Sequence, residues 1–325
     1  MNSVNRRSVL AGATALTAAA LTSSGITMPA HAAAPLSGKQ GGFFRFKLGS
    51  FEITAISDGI WLRDLDANFV RNAPLADVQK VLADAYAPAG KIPIPFTPLI
   101  VNTGSRLVAL DTGTGGRLAP TSGSYMDGLA AAGIDPKSVD AVVISHFHPD
   151  HINGIRTKDD QLVFPNAEIM VPAPEWAYWM DDARMNNAPE ALKGAFGNVR
   201  RVFGSIAGKV ARFEPGKEVV PGITTIAAHG HTPGHTAFLI SSGNRSFMTI
   251  VDSTNNADLF VRNPDWQAIF DMDGNMAAEN RKKLLDRAAA DKIPVAGYHW
   301  PFPAVGYVTK DGAGFKLNPV TWGEI

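Results

Sequence analysis

A histidine-rich segment, SHFHPDHING (145–154), limits the possible folds and functions of this chain more than any other feature. Only 8 of the 325 residues are histidine, yet six consecutive positions hold three histidines and an aspartate: His146, His148, Asp150 and His151. The segment begins at the end of VDAVVIS (139–145), a short apolar run that predicts a buried strand. A buried strand that ends in such a cluster is typical of folds in which strand ends meet around a functional site.

The spacing of the cluster predicts two metal ions rather than one. His146 and His148, two positions apart, can project to one side and share a cation. Asp150 and His151 lie a turn further on and would face a different point. Imidazole and carboxylate ligands suit zinc best, with manganese, iron or cobalt also compatible. The alternative is a set of surface or capping histidines, which a cluster this dense after a buried strand disfavours.

Four ligands in one loop require others from elsewhere, and further strand ends carry suitable side chains. Apolar strands are predicted to end near Asp111, Asp252 and His299, and the loop HGHTPGH (229–235) supplies three more histidines. Spacing alone does not choose between His229 and His231 as a ligand. The convergence of histidine and aspartate at several strand ends is the arrangement that a dinuclear hydrolase needs.

The predicted elements fall into two similar halves, each with strands, a helix and a buried strand that ends in histidine. The periodicity predicts strands in 44–60, 95–113, 167–171, 222–254 and 293–299, and helices over 123–134, 174–185 and 277–291. We therefore expect an α/β chain with two β-sheets packed face to face and helices outside. Functional loops should gather at the strand ends.

The N-terminus reads as an export signal. Arg6 and Arg7 precede an apolar stretch from Val9 to about Leu21, and PAHAAAP supplies a small-residue cleavage site. Paired arginines predict twin-arginine export with cleavage near Ala32, so the mature protein would be periplasmic or secreted. The apolar run is too short for a stable membrane anchor. Residues 33–325 would form a single domain.

Composition excludes several classes of chemistry and partner. The chain has 30 basic and 30 acidic residues, and this balance argues against nucleic acid as a partner. It has no cysteine, which excludes disulfides, thiolate ligands and a cysteine nucleophile. We expect a small-molecule substrate. The sequence leaves open whether the protein forms a homodimer.

Taken together, these segments resemble the metallo-β-lactamase-fold hydrolases over nearly the whole predicted mature chain. The signature H-x-H-x-D-H is complete, and the family pattern T-x-G-H after a histidine selects His231 over His229. DTGTGG, FPNAEI and GYHWPFPAVGY narrow the resemblance to the methyl parathion hydrolase and quorum-quenching lactonase group. The resemblance implies a four-layer αββα sandwich. It also implies one metal ion on His146, His148 and His231, a second on Asp150, His151 and His299, and Asp252 bridging both.

The resemblance assigns further roles and has two departures. By their positions, Asp111 and His235 are expected to orient ligand groups by hydrogen bonding, rather than to act as a plain turn residue and a metal ligand. Trp179 either packs in the core with Trp176 or lines the substrate pocket, as a tryptophan does in methyl parathion hydrolase. Phe196 and Trp300 are weaker pocket candidates. The family usually has glycine before the bridging aspartate, whereas this chain has Val251. Methyl parathion hydrolase has an aromatic residue in the loop after DTG, where Leu118 is expected here.

The expected activity is metal-dependent hydrolysis of lactones, esters or phosphotriesters. Two metal ions would activate a bridging water as hydroxide, and Asp150 and Asp252 would position it and transfer a proton to the leaving group. Alternatives on the same fold are a thiolester or β-lactam hydrolase, a nuclease, a di-iron redox protein, and a metal-binding protein without catalysis. Neutral charge disfavours the nuclease.

Overall fold

The structure, a computed structural model, describes residues 42–88 and 90–321. The predicted export signal lies outside the described residues. The strands in this part of the chain are β1 (Gly42–Leu48), β2 (Phe51–Ser57), β3 (Ile60–Asp64), β4 (Lys91–Pro95), β5 (Leu99–Asn102), β6 (Leu107–Leu110), β7 (Ala141–Val143), β8 (Glu168–Pro172), β9 (Ala211–Phe213), β10 (Glu218–Val220), β11 (Ile223–Ala227), β12 (Thr236–Ser242), β13 (Arg245–Val251), β14 (Val295–Gly297), β15 (Val305–Asp311) and β16 (Gly314–Pro319).

Seven α-helices connect these strands in the same part of the chain. They are α1 (Leu75–Asp84), α2 (Tyr125–Ala131), α3 (Pro149–Ile152), α4 (Ala173–Trp179), α5 (Asp182–Asn187), α6 (Glu190–Phe203) and α7 (Gly274–Asp291). Across residues 42–88 and 90–321, no helix combines the length and the apolar character needed to cross a bilayer.

The strands form two seven-stranded sheets and one two-stranded antiparallel sheet. The first sheet has the order β1-β2-β5-β6-β7-β8-β9 and is parallel from β6 to β9. The second has the order β10-β11-β12-β13-β14-β15-β16, and β13 and β14 run parallel at its centre. Strands β3 and β4 pair separately. Because parallel neighbours end at the same edge of a sheet, β6 and β7 end together in the first sheet, and β13 and β14 end together in the second.

The two sheets pack face to face around an apolar core. Phe46 of the first sheet meets Phe247 of the second with ring centroids 5.3 Å apart. A second apolar cluster joins the outer face of the first sheet to α2, α4 and α6, and a third joins the outer face of the second sheet to α7. The predicted αββα sandwich is therefore confirmed.

Local breaks separate two elements that the sequence pattern runs together. The predicted strand 44–60 is a hairpin, because Gly49 adopts a φ of +59° at the turn between β1 and β2. The predicted helix 174–185 is two helices. Its second part starts where the Asp181 side chain accepts a hydrogen bond from the backbone N–H of Arg184 at 3.0 Å.

Candidate metal centre

The histidine loop follows β7 directly and enters α3. His148 is the N-cap residue of α3, and Pro149 occupies its first turn, where a missing N–H costs nothing. The side chains of His146 and His151 are fully buried, and Asp150 is largely buried. In this local fold the side chains of His146 and His148 point to one place and those of Asp150 and His151 to another, as the spacing predicts.

The first group of candidate ligands contains His146, His148, His231 and Asp252, whose ligand atoms all lie within 4.8 Å of one another. The Nε2 atom of His231 is 2.9 Å from Nδ1 of His148 and 3.3 Å from Oδ2 of Asp252. The Nε2 atom of His146 is 3.8 Å from the same carboxylate oxygen. Three imidazoles and one carboxylate form a four-ligand set suited to zinc.

The second group contains Asp150, His151, Asp252 and His299, within the same 4.8 Å limit. The Nε2 atom of His151 lies 3.3 Å from Asp150 Oδ2 and 3.3 Å from Asp252 Oδ1. The Nε2 atom of His299 lies 3.5 Å from Asp150 Oδ2 and 3.0 Å from Asp252 Oδ2. Asp252 belongs to both groups, so its carboxylate is placed to bridge them.

The structure separates the two histidines between which spacing could not choose. His231 is buried and belongs to the first group, whereas His229 is partly exposed and belongs to neither. The backbone carbonyl of His229 accepts a hydrogen bond from Asn280 of α7. His231 is therefore the member of this pair that faces the other candidate ligands.

Hydrogen bonds on the far side of each ring orient three of the ligand histidines. The Nδ1 atom of His151 is 2.8 Å from Asp111 Oδ2, and that of His299 is 2.8 Å from the carbonyl oxygen of Pro95. The Nδ1 atom of His231 is 2.9 Å from Asp271 Oδ1. Because these acceptors hold a proton on Nδ1, the Nε2 lone pairs point toward the centre.

Asp111 and His235 take the supporting positions that the sequence analysis assigns to them. Asp111 also accepts hydrogen bonds from the backbone N–H and the hydroxyl of Ser145, at 2.8 and 2.7 Å. His235 donates from Nδ1 to the carbonyl oxygen of Ala228 and accepts at Nε2 from the backbone N–H of Asp252, at 3.0 and 3.2 Å. His235 thus contacts the backbone of the shared carboxylate and belongs to neither ligand group.

Sequence reasoning missed two buried acids and a tyrosine that support the centre. Asp271 lies in a loop without a recognisable motif, and only the fold brings it to His231. Glu175 falls within a predicted helix, yet its carboxylate accepts hydrogen bonds from both ligand loops. The Tyr298 hydroxyl donates to the carbonyl oxygen of Asp150 at 2.7 Å, and its ring packs 4.0 Å from that of His151. Adjacency of Tyr298 to His299 was the one available signal.

The electrostatics of the centre suit cations. Burial opposes ionisation of Asp252, but the neighbouring histidines outweigh it and hold the pKa of Asp252 well below its usual range. Burial also lowers the pKa of His146 well below its usual range and that of His148 to about 3, so both stay neutral. In His151, His231 and His299 the nearby carboxylates outweigh burial and raise the pKa. Because neutral imidazole and ionised carboxylate are the forms that bind metal, metal binding would displace protons from these three histidines.

Buried polar atoms without a hydrogen-bond partner indicate whether these residues could hold metal ions. Among the described residues, His146 Nε2, His151 Nε2 and Asp252 Oδ1 are buried without a hydrogen-bond partner. A buried polar atom without a partner is costly. All three atoms face the centre, and each would be satisfied as a ligand. The residues therefore fit two divalent ions.

A cavity with an empty volume of about 500 Å³ opens onto the centre. Its walls are mostly apolar and, besides the metal-ligand candidates, include Trp61, Ile94, Phe96, Leu118 and Phe270. Leu118 lies in the wall, as the sequence analysis expects. Most of the other wall residues come from β3, β4 and the loop before α7, which the sequence analysis did not connect with the site.

Three residues expected at this cavity do not line it. Trp179 is buried between α4 and α6, where its indole N–H donates to Glu175 and its ring lies 4.9 Å from that of Phe196. Phe196 is itself part of that apolar cluster. Trp300 is fully buried and donates to the Thr254 hydroxyl at 2.9 Å. Core packing explains all three, so this expectation is corrected.

Comparison with known proteins agrees with the geometry. Residues 98–250 match the metallo-beta-lactamase superfamily. The chain is 31% identical over 141 residues to the N-acyl homoserine lactonase AttM of Agrobacterium fabrum (strain C58), a match that covers 41% of this chain and 48% of AttM. The matched region thus spans about half the length of this curated relative.

Two solved structures are similar over most of both chains. The dizinc quorum-quenching lactonase AidC, in complex with the product N-hexanoyl-L-homoserine, has a TM-score of 0.83 at 28% identity. The hydrolase AbOPH of the beta lactamase superfamily has a TM-score of 0.82 at 25% identity. Each match covers 88% of this chain and 100% of the other. With its αββα fold and two His/Asp groups, this chain contains a metallo-beta-lactamase superfamily domain.

Proposed function

We propose that this protein is a dinuclear metal-dependent hydrolase of lactones, esters or phosphotriesters, with lactones as its first substrate class. The observation that carries the proposal is the pair of four-ligand groups that share Asp252. The similarity to AttM and AidC supports the choice of lactones and of zinc. Divalent ions held there would supply Lewis-acid activation of water and of the scissile bond.

The chain's own residues then perform the remaining tasks. Asp150 and Asp252 stand beside the reaction centre as ionised carboxylates and would orient the attacking water and carry a proton to the leaving oxygen. Asp111, Asp271 and His235 hold ligand groups in place. The apolar walls would bind the non-reacting part of the substrate and exclude water from it.

The test is hydrolysis by purified protein of known metal content. The panel contains acyl-homoserine and simple lactones, p-nitrophenyl esters, methyl parathion and a cephalosporin. We expect the highest kcat/KM on lactones and its loss on chelation, with recovery when zinc is restored. His231→Ala should lower kcat/KM at least 100-fold, in line with the loss of a metal ligand. Activity on the cephalosporin alone, or turnover unchanged in metal-free His231→Ala, would contradict the proposal.

We also propose that the protein is exported through the twin-arginine pathway and acts outside the cytoplasm. The support is the sequence of residues 1–32, with Arg6 and Arg7 before the apolar stretch. Wild-type protein should accumulate in the periplasm or medium with an N-terminus near residue 33. Replacing both arginines by lysine should retain it in the cytoplasm. Equal export of the two forms would contradict this pathway.

A further inference from the structure

Glu175 is a fully buried carboxylate that the hydrolytic roles above do not use. It lies in the first turn of α4, immediately after β8 brings the chain to the edge that holds the candidate ligands. Three N–H groups and the Thr232 hydroxyl surround the carboxylate, and no lysine or arginine of the described residues pairs with it. A buried carboxylate is costly unless hydrogen bonds compensate it, so this arrangement requires an explanation.

The two carboxylate oxygens of Glu175 reach two different ligand loops. Oε2 accepts a hydrogen bond from the backbone N–H of Phe147 at 3.0 Å. Oε1 accepts one from the backbone N–H of Gly234 at 2.6 Å. Phe147 stands between His146 and His148, and Gly234 follows His231 by three positions. One side chain therefore joins the two loops that supply all three histidines of the first ligand group.

Further contacts fix the Glu175 carboxylate and hold the loop that contains Gly234 close to α4. The indole N–H of Trp179, one turn along α4, donates to Oε2 at 2.9 Å. A Cβ atom on Gly234 would lie 2.5 Å from the backbone nitrogen of Glu175, so only glycine lets the loop approach this closely. Burial raises the pKa of Glu175, whereas the donated hydrogen bonds favour its ionised form.

The second ligand group has a different support. Asp111 holds His151 directly, the carbonyl of Pro95 holds His299, and the Tyr298 hydroxyl holds the backbone of Asp150. Glu175 has no hydrogen bond with any of these six residues in the described structure. Its contacts are thus confined to one half of the centre.

We propose that Glu175 is a positioning residue that selectively maintains the metal affinity of the group formed by His146, His148 and His231. This inference rests on the proposed metal centre and assigns its two halves separate supports. Loss of the carboxylate would let the two loops move apart, so the three imidazoles would no longer converge. The other group would keep its ligands and supports.

The experiment measures the zinc affinity of each group separately, by chelator competition at a temperature where every variant is folded. His299→Ala leaves only the first group complete, and His148→Ala leaves only the second. Glu175→Gln is added to each background, because it keeps the size of the side chain but presents a donor to one set of N–H groups. We expect it to weaken zinc binding about 10- to 100-fold in the His299→Ala background and less than about 3-fold in the His148→Ala background.

Phe164→Leu is the matched control for general destabilisation, since Phe164 is buried in the same apolar cluster as Trp179 but is in neither ligand loop. It should lower the melting temperature without changing the ratio of the two affinities. If Glu175→Gln does not fold, Glu175→Asp, which is one methylene shorter, should give the same selectivity. Equal losses in both backgrounds, or no loss in either, would overturn the inference. Wild-type protein that binds no zinc would instead contradict the proposed function.

Discussion

The Nδ1 atom of His231 lies 2.9 Å from Oδ1 of Asp271, and both side chains are buried. The other oxygen of Asp271 accepts hydrogen bonds from the backbone N–H of Ala268 at 3.0 Å and from Arg281 at 3.3 Å. Burial lowers the pKa of His231, but the hydrogen bonds that its ring donates to Asp252 and Asp271 outweigh burial and raise that pKa to about 9. Asp271 therefore accepts the Nδ1 proton, and a metal ion at Nε2 would displace the second proton of this ring.

Asp271→Asn should reduce zinc affinity about 10- to 100-fold, the usual effect of losing a carboxylate behind a ligand histidine. The amide cannot accept on both sides, so either His231 or the pair Ala268 and Arg281 meets a donor. Chelator competition at 25 °C measures the effect. Asp265→Asn is the matched control, because Asp265 is exposed and pairs with Lys282. Equal affinities in the two variants would show that Asp271 does not tune His231.

Val251 precedes the shared carboxylate with a φ of +48° and a ψ of −119°, a conformation that side chains with a Cβ rarely adopt. Its side chain is buried in the core between the sheets. Strain of this kind costs about 1–3 kcal/mol, which is comparable with the roughly 1.5–3 kcal/mol gained by burying a valine. The two effects nearly cancel, which explains how valine is accommodated where the resemblance leads us to expect glycine.

This balance predicts that glycine is a more stable replacement than alanine at position 251, the reverse of the usual order in a strand. Val251→Gly loses packing but relieves the strain, whereas Val251→Ala loses packing and keeps it. We expect the glycine variant to be more stable than the alanine variant by about 1 kcal/mol or more in urea unfolding of metal-free protein. At Val101, which is buried in β5 without a positive φ, alanine should be the more stable replacement. If the alanine variant is more stable than the glycine variant at both positions, strain at Val251 is excluded.

His235 gives the metal-free protein a defined pH dependence. Burial and repulsion from His231 lower its folded-state pKa to about 3, against 6.5 for the ordinary side chain. The unfolded chain therefore binds a proton below pH 6.5 that the folded protein does not, and stability is lost as pH falls from 6.5 toward 3. The slope is about 1.4 kcal/mol per pH unit for this one proton.

His235→Gln should remove that slope, because glutamine can donate to Ala228 and accept from the Asp252 N–H without titrating. The measurement is the free energy of urea unfolding of chelated protein between pH 7.5 and 4.5. The unfolding free energies of variant and wild type should converge as pH falls, because only the wild type loses the contribution of His235. The other titrating groups are common to both. Parallel curves would mean that His235 is protonated in the folded state.

Sequence periodicity predicted the two sheets and the strand ends because hydrophobic patterning is local. It placed Asp111, Asp252 and His299 at strand ends, where the fold brings them together. It missed Asp271 and Glu175, whose roles depend on contacts 28 to 59 positions away along the chain. It could not choose between core and pocket for Trp179, because aromatic residues that line a cavity and those that fill a core have the same local pattern.

The apolar cavity predicts a dependence on acyl-chain length that Trp61 controls. Each methylene buried against the walls contributes about 0.8 kcal/mol, or roughly a fourfold gain in kcat/KM, until the cavity is full. Trp61→Ala should flatten this increase across an acyl-homoserine lactone series while leaving the shortest substrate within about threefold of wild type. Leu62→Ala is the matched control, because Leu62 is the next residue of β3, is 48% exposed and does not line the cavity. A uniform loss over all chain lengths in Trp61→Ala would place the acyl chain elsewhere, since a wall residue acts only on the part of the substrate that it touches.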